Sequence, residues 1–291
     1  MKTYLECIPC FFKQALEAAV MAEADQKTQK LIFDELCLAV REFDLEASPP
    51  EMGRVIYNLV QMHTLGGDPF KKRKEQSNQL ALSIYKQLQE KVSKSEDRLL
   101  TALELAIAGN IIDYGVKNSL NVEEEIKKIL EKESELLRQN KEFFAYAQFK
   151  AALSATDEIL YLADNAGEIV FDKILIEEIK KDYPKMKIIF VVKEKPIIND
   201  ALAEDAKICG IDQLAEVISS GADTPGTVIS RCSREFLKLY YNSKLIISKG
   251  QGNFEALYGN TEPIFFLFMA KCQVVAKDIG CMQGDFILLN R

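Results

Sequence analysis

The side chains best suited to chemistry in this 291-residue sequence fall in four short polar stretches of its second half. Asp164-Asn165-Ala166-Gly167-Glu168 comes first, then Lys193-Glu194-Lys195-Pro196-Ile197-Ile198-Asn199-Asp200. Ser219-Ser220-Gly221-Ala222-Asp223-Thr224-Pro225-Gly226-Thr227 and Ser248-Lys249-Gly250-Gln251-Gly252-Asn253-Phe254-Glu255 follow. Mg²⁺ and similar hard cations take oxygen donors from carboxylates, carboxamides and water. Asp164 and Asn165 after one apolar run, with Asp200 after the next, would supply such donors and leave open positions for a substrate. A cation held there would polarise a phosphoryl oxygen, orient a nucleophile and neutralise developing charge. Lys249 would add a point charge for phosphate. Gly250 and Gly252 would let backbone N–H groups approach an anion at a helix N-terminus.

A sheet is what could gather these stretches. From about Glu158 short apolar runs (159–163, 187–192, 216–218, 245–248, 263–269 and 286–289) alternate with helical segments at about 168–181, 200–208 and 227–239. Continuous apolar runs read as strands buried on both faces, and alternation with helices implies parallel pairing through crossovers. Ligand sites in open α/β sheets gather at the carboxyl ends of the strands, and each polar stretch follows such a run. Residues 1 to about 150 read instead as helix after helix. Segment 11–20 is amphipathic, Ser48-Pro49-Pro50-Glu51 resembles a helix start, and 68–92 has helical spacing with Leu80, Ile84 and Leu88 on one face. Asn121 with Glu124 suits a further N-cap, and the charged stretch 123–141 reads as a solvated helix face. The expected fold class is α/β. A helical N-terminal lobe (1–150) joins a doubly wound, mostly parallel sheet domain (151–291) that binds metal and phosphate. The N-terminal helices packing directly onto the sheet is the alternative arrangement.

Composition narrows the function classes. A formal net charge of −7, with acids spread along the chain, argues against a general nucleic-acid binder. No run approaches the roughly 18–20 apolar residues of a membrane span, and the first residues, with Glu6 and two cysteines, lack a signal-like apolar region; the expectation is a cytoplasmic protein. Seven cysteines suit thiols or metal ligands better than a disulfide framework. There is one histidine, so a Ser–His–Asp triad or a multi-histidine zinc site would have to rest on His63. His63 is expected to serve packing or a local hydrogen bond near Gly66-Gly67. Cys7 and Cys10 have metal-ligand or redox spacing, yet a tetrahedral zinc site would need Cys272 or Cys281 as well; buried free thiols are the plainer reading.

Plainer readings exist at the polar stretches too. Asp164 and Asn165 could cap the next helix, and Asp200 a helix starting at Ala201. Gly250-Gln251-Gly252-Asn253-Phe254-Glu255 could be an ordinary strand–helix turn; as half of a dinucleotide fingerprint it lacks the third glycine.

Asp-Asn-Ala-Gly-Glu at 164–168, Pro-Ile-Ile-Asn-Asp-Ala at 196–201 and Lys-Gly-Gln-Gly-Asn-Phe-Glu at 249–255, in this order, resemble the damage-control phosphatase family, long known as domain of unknown function 89. Cys7-Ile8-Pro9-Cys10, Gly67-Asp68-Pro69-Phe70 with Lys71 and Lys74, Ala108-Gly109-Asn110-Ile111-Ile112-Asp113 and the stretch 270–276 match as well. The likeness spans essentially the whole chain, and the N-terminal cysteine pair points to the compact prokaryotic and archaeal branch. The resemblance implies a phosphatase using a divalent metal such as Mg²⁺, Mn²⁺, Co²⁺ or Ni²⁺ on small phosphorylated metabolites, including sugar phosphates and damaged intermediates. It maps the metal onto Asp164, Asn165 and Asp200, and places Lys249 at the phosphate. It brings Asn110 and Asp113 in from the helical lobe, and Glu168, Gly250 and Asn253 towards the substrate. Asp113 reads equally as a polar residue at a helix end, and Glu168 as a first-turn carboxylate. Attack by water activated at the metal and attack by an Asp carboxylate both stay open. Two rival readings are a non-catalytic metal- or ligand-binding protein with Cys7 and Cys10 as sensor, and a methyltransferase-like enzyme with Glu194 holding a ribose.

Overall fold

The six apolar runs of the second half form one six-stranded sheet. Its strands are β1 (Glu158–Leu162), β2 (Lys187–Val192), β3 (Glu216–Ser219), β4 (Ile246–Lys249), β5 (Ile264–Met269) and β6 (Phe286–Asn290), in the spatial order β3-β2-β1-β4-β5-β6. The computed structural model describes residues 1–64, 66–110, 112 and 143–290; Asp113, the expected N-cap at Asn121 and the charged stretch 123–141 lie outside the described residues. β1 pairs in parallel with β2 and β4, β2 with β3 and β4 with β5, whereas β6 returns antiparallel to β5. The order reverses between β1 and β4, the topological switch point at which open α/β sheets open a crevice.

Strand residues alternate between two cores. Ile159, Tyr161, Ile188, Phe190 and Val192 pack on one side, and Leu160, Leu162, Ile189 and Val191 on the other. The first side is covered by α4 (Lys71–Lys94), α5 (Arg98–Ala108), α6 (Tyr146–Ser154), α7 (Glu168–Asp182) and α8 (Ala203–Ile208). The second is covered by α9 (Arg234–Asn242), α10 (Gln251–Leu257) and α11 (Gln273–Ile279). The sheet is thus doubly wound.

Local signals set the helix ends. In α3 (Pro49–His63) Ser48 and Glu51 form a reciprocal capping box, with the Ser48 N–H donating to Glu51 Oε2 at 2.8 Å. Asp25 and Asp97 accept from Thr28 N–H at 2.8 Å and Leu100 N–H at 2.9 Å, which opens α2 (Gln26–Glu42) and α5. The helix expected over 227–239 is displaced: a 3₁₀ turn spans Ile229–Arg231, and α9 begins at Arg234 because Ser233 Oγ accepts from Phe236 N–H at 3.1 Å.

The change of hydrophobic period near residue 150 falls inside a shared core, because α4 and α5 lie on the sheet face beside α7. Their apolar stripes need a partner surface, and the sheet is the largest one present. α1 (Cys7–Met21), α2 and α3 form a separate cluster around Phe11, Ile32, Ile56 and Val60, and this cluster also takes in Ile197 from the loop after β2. Among the described residues no helix is long and apolar enough to cross a membrane.

α5 carries one carboxyl at odds with its surroundings. Glu104 is 8% exposed, and its carboxyl is pushed up from 4.5 to about 7 by burial, with Lys91 pulling down and Asp97 pushing up. A raised carboxyl pKa means the folded state holds its proton longer than the unfolded chain, so stability falls as pH rises from about 4.5 to 7. Glu104→Gln is therefore expected to raise unfolding free energy at pH 8 by on the order of 1–3 kcal/mol, with the gain vanishing below the unfolded-state pKa. Urea unfolding at pH 4 and pH 8 checks this; a gain of equal size at both would contradict it.

Candidate functional site

The carboxyl ends of β1, β2, β4 and β5 converge at the switch point. Asp164 and Asn165 follow β1, and they do not cap the next helix: α7 has Gly167 at its N-cap, with φ 78° and no side-chain cap. Asp200 does not cap either, since α8 starts at Ala203 and the N–H of Leu202 donates to Asp205 Oδ2 at 2.9 Å. The two loops are tied to each other. Asn165 and Asp200 form an isolated antiparallel bridge, Ala166 N–H donates to Asn199 O at 2.9 Å, and Ala201 N–H donates to Asp164 O at 2.8 Å. Asn78 on α4 ties the first loop to α8, because it accepts from Gly167 N–H and donates to Asp205 Oδ1, each at 2.7 Å.

This places Asp164, Asn165 and Asp200 together in a nearly closed setting, at 8, 6 and 4% exposure. Burial pushes the Asp164 carboxyl well above the usual carboxylate range, the charges of Glu168 and Asp200 push it further, and Lys271 and Lys193 oppose them. Asp200 is pushed up to about 6, again by burial first, against Lys193, Lys271 and Lys74. The Lys193 ammonium stands 3.6 Å from Asp200 Oδ2, and that buried oxygen accepts no hydrogen bond. Among the described residues no three His, Cys, Asp or Glu side chains form a metal cluster. The donor set is two carboxylates and a carboxamide. Such a set fits a hard, oxygen-preferring divalent cation that keeps open positions, and Asp200 Oδ2, although it faces the Lys193 ammonium, accepts no hydrogen bond.

The other expected site residues separate into two groups. Asn110 lies on the rim, where its Oδ1 accepts from Asn165 Nδ2 at 3.2 Å and from Lys271 Nζ at 2.9 Å. Glu168, 3% exposed, is bound through Oε2 to Asn165 and through Oε1 to Lys249. Gly250 (φ 82°) passes so close to Asp164 that a Cβ there would stand 2.1 Å from Oδ2. Lys249 differs from expectation. It is fully buried, and its three protons go to Ala106 O (2.8 Å), Glu168 Oε1 (2.7 Å) and Asp172 Oδ1 (2.6 Å). Burial alone would lower its pKa, but Asp172 and Glu168 outweigh burial and hold it above the ordinary lysine value. Lys249 thus lies beneath the site as a cross-brace, because the strand end turns it inward towards α7. Asn253 is likewise drawn under the rim: its Nδ2 donates to Ala163 O and Lys249 O, and its Oδ1 accepts from Thr227. It holds β1 to β4 and presents no free polar atom to a substrate. Asp113 lies outside the described residues.

The cations nearest Asp164 and Asp200 are instead Lys271, which lines the cleft, and Lys193, buried beside Asp200. Lys271 follows β5 just as Lys249 ends β4, so carrying the strand-end rule one strand further would have found it. The cleft beyond the site has a volume of about 290 Å³, between α1, α3 and α4 on one side and Asn110, Ile198, Asn199 and Lys271 on the other. Ile198 sits in the left-handed region at φ 46°, costly for a β-branched residue. Its neighbour Ile197, buried in the α1–α3 core, holds the loop there. Cys10 is exposed and all seven cysteines are free; His63 lies 2.9 Å from Glu35, and the residues lining the cleft include neither it nor Cys7 and Cys10.

The sequence matches the damage-control phosphatase ARMT1-like domain over residues 3–287. The chain belongs to the damage-control phosphatase family. It is 34% identical to the damage-control phosphatase of Pyrococcus horikoshii across 100% of this chain and 98% of that one. It is 36% identical to a damage-control phosphatase of Archaeoglobus fulgidus across 76% of this chain and 75% of the relative. An uncharacterized protein of Methanocaldococcus jannaschii is 37% identical over 98% of this chain and 94% of its own. The crystal structure of a domain-of-unknown-function-89 protein from Pyrococcus horikoshii superposes with a TM-score of 0.86 at 31% identity, covering 100% of this chain and 99% of that one. Membership of the damage-control phosphatases supports a phosphatase role for this chain.

Gly250 tests the geometry of the rim. Gly250→Ala imposes a left-handed alanine and a Cβ inside contact distance of Asp164. It is expected to destabilise the protein by at least about 1 kcal/mol and to displace the Asp164 carboxylate. Thermal melting and a crystal structure of the variant check this; an unmoved Asp164 would show that the close approach has no role in placing it.

Proposed function

We propose that the chain is a divalent-metal-dependent phosphatase that hydrolyses small phosphorylated metabolites such as sugar phosphates, with Asp164, Asn165 and Asp200 holding a Mn²⁺, Mg²⁺, Co²⁺ or Ni²⁺ ion. One observation carries the reading. Two buried carboxylates stand together at the switch point beside a carboxamide, and burial keeps both above the usual carboxylate range in spite of the nearby Lys193 and Lys271, a cost that a divalent cation would offset.

When bound, a divalent ion would polarise the phosphoryl group and neutralise charge on its oxygens. The chain's own residues do the rest. Lys271, anchored through Asn110, and Lys193, beside Asp200, supply fixed positive charge where equatorial oxygens gather charge. Lys13 and Arg73 add cations on the opposite wall, and Ile56, Tyr57, Phe70 and Ile198 line the space between. A cleft of about 290 Å³ suits a compact metabolite. The acidic net charge of −7 supports a small-molecule substrate over a nucleic acid. A cytoplasmic location accords with seven free thiols.

The test is phosphate release from a panel of sugar and nucleotide phosphates by metal-stripped protein, with each divalent ion restored in turn. Release is expected only with metal, and Asp164→Asn is expected to lower it at least about 100-fold while leaving the circular dichroism spectrum unchanged. Lys271→Met is expected to raise KM for the same substrates about 10-fold or more. Undiminished release by the stripped protein, or by Asp164→Asn, would overturn the proposal.

A further inference from the structure

A single carboxamide has to point the right way for the proposed cation site to work. Asn165 Nδ2 lies within hydrogen-bond distance of three acceptors: Asp164 Oδ2 at 2.6 Å, Glu168 Oε2 at 3.1 Å and Asn110 Oδ1 at 3.2 Å. With three acceptors round one end, that end must be the NH₂ group. Its carbonyl oxygen is the end turned away from them, the end that would serve as a neutral ligand.

Glu168 is the acceptor whose own position is most heavily determined. Its second oxygen is gripped by Lys249, which also holds Asp172 and Ala106 O, and Asp172 accepts from Tyr161 Oη at 2.7 Å. Tyr161, Asp172 and Lys249 are fully buried, and Glu168 is 3% exposed. Glu168 and Asp172 are one turn apart on α7, so they face the same way. Buried together without Lys249 between them, they would repel. Gly109 makes room for this arrangement, since a Cβ there would come within 3.1 Å of Glu168 Cγ.

We infer that the chain Asp172–Lys249–Glu168 is a positioning device that fixes the carboxamide of Asn165 and thereby sets the affinity for the cation. This inference rests on the metal-dependent reading proposed above. It also gives a role to the family's Lys-Gly lysine that matches where the side chain lies. The ammonium acts one residue removed from the ligands, by orienting Glu168.

Glu168→Gln is the sharpest probe. Glutamine has one carbonyl oxygen for two donors, so either Lys249 or Asn165 must then face an NH₂ group. Asp172→Asn is milder and more remote, and it serves should Glu168→Gln fail to fold. The experiment is calorimetric titration of Mn²⁺ into metal-stripped wild type and both variants, with circular dichroism as the check of fold. We expect Mn²⁺ affinity to fall 10- to 100-fold in Glu168→Gln and about 10-fold in Asp172→Asn, with kcat falling more than KM where activity is measured. A role confined to stability would lower the melting temperature and leave Mn²⁺ affinity of the folded variants unchanged, and that result would overturn the inference. Wild type that binds no Mn²⁺ would instead remove the metal-dependent reading itself, and the inference with it.

Discussion

Two carboxylates buried against one another at the open end of a sheet are the constraint on which the rest of this structure turns. Asp164 and Asp200 are almost wholly shielded from water, and each is held above the usual carboxylate range by that burial. Bringing them together disfavours the folded state unless positive charge is near. The surrounding fold can be read as the means of keeping them there. The bridge between Asn165 and Asp200 locks the two loops, and Asn78 ties α4 to the first of them and to Asp205 on α8. Asn253 ties the ends of β1 and β4, and Gly250 leaves the space that Asp164 occupies.

The lysines explain why the acidic cluster is tolerated at all. Lys193 lies beside Asp200, and Lys271 reaches Asn110 at the rim. Lys249 neutralises Glu168 and Asp172 below. Lys74 pairs with Asp68 at 2.7 Å, close enough to Asp200 to draw its pKa down. These cations fall into two layers. Lys249 below and Lys74 and Lys193 above are buried in ion pairs and hold geometry, whereas Lys271 lines the cleft. Both signs of charge are thus already fixed in place at the switch point.

Much of this was legible in the sequence because it follows from pattern. Apolar runs such as Lys-Ile-Ile-Phe-Val-Val at 187–192 can only be doubly covered strands, and their ends mark the site by the topology rule. Asp164, Asn165 and Asp200 stand at those ends, and the structure brings them together. What pattern could not give was the direction of a side chain. Lys249 and Asn253 follow the same strand end, yet one points under the sheet rim into three acceptors and the other into backbone carbonyls. The inward turn of Lys249 depends on α5 and α7 lying overhead, and that of Asn253 on the end of β1 and on Thr227, long-range contacts with no local signal. The helix expected over 227–239 was misplaced for a related reason. Ser233 caps a later start while the preceding loop, through Thr227, is engaged with Asn253. The division near residue 150 marked a change of period, while α4 and α5 pack on the sheet because their apolar stripes have no larger surface to cover.

The most direct test of the account is a crystal structure of the protein grown with Mn²⁺, examined by anomalous scattering. The account predicts one strong peak bonded to oxygens of Asp164, Asn165 and Asp200, with its open side towards Lys271 and the cleft. A peak at Cys7 and Cys10 instead, or none near the two aspartates, would contradict it.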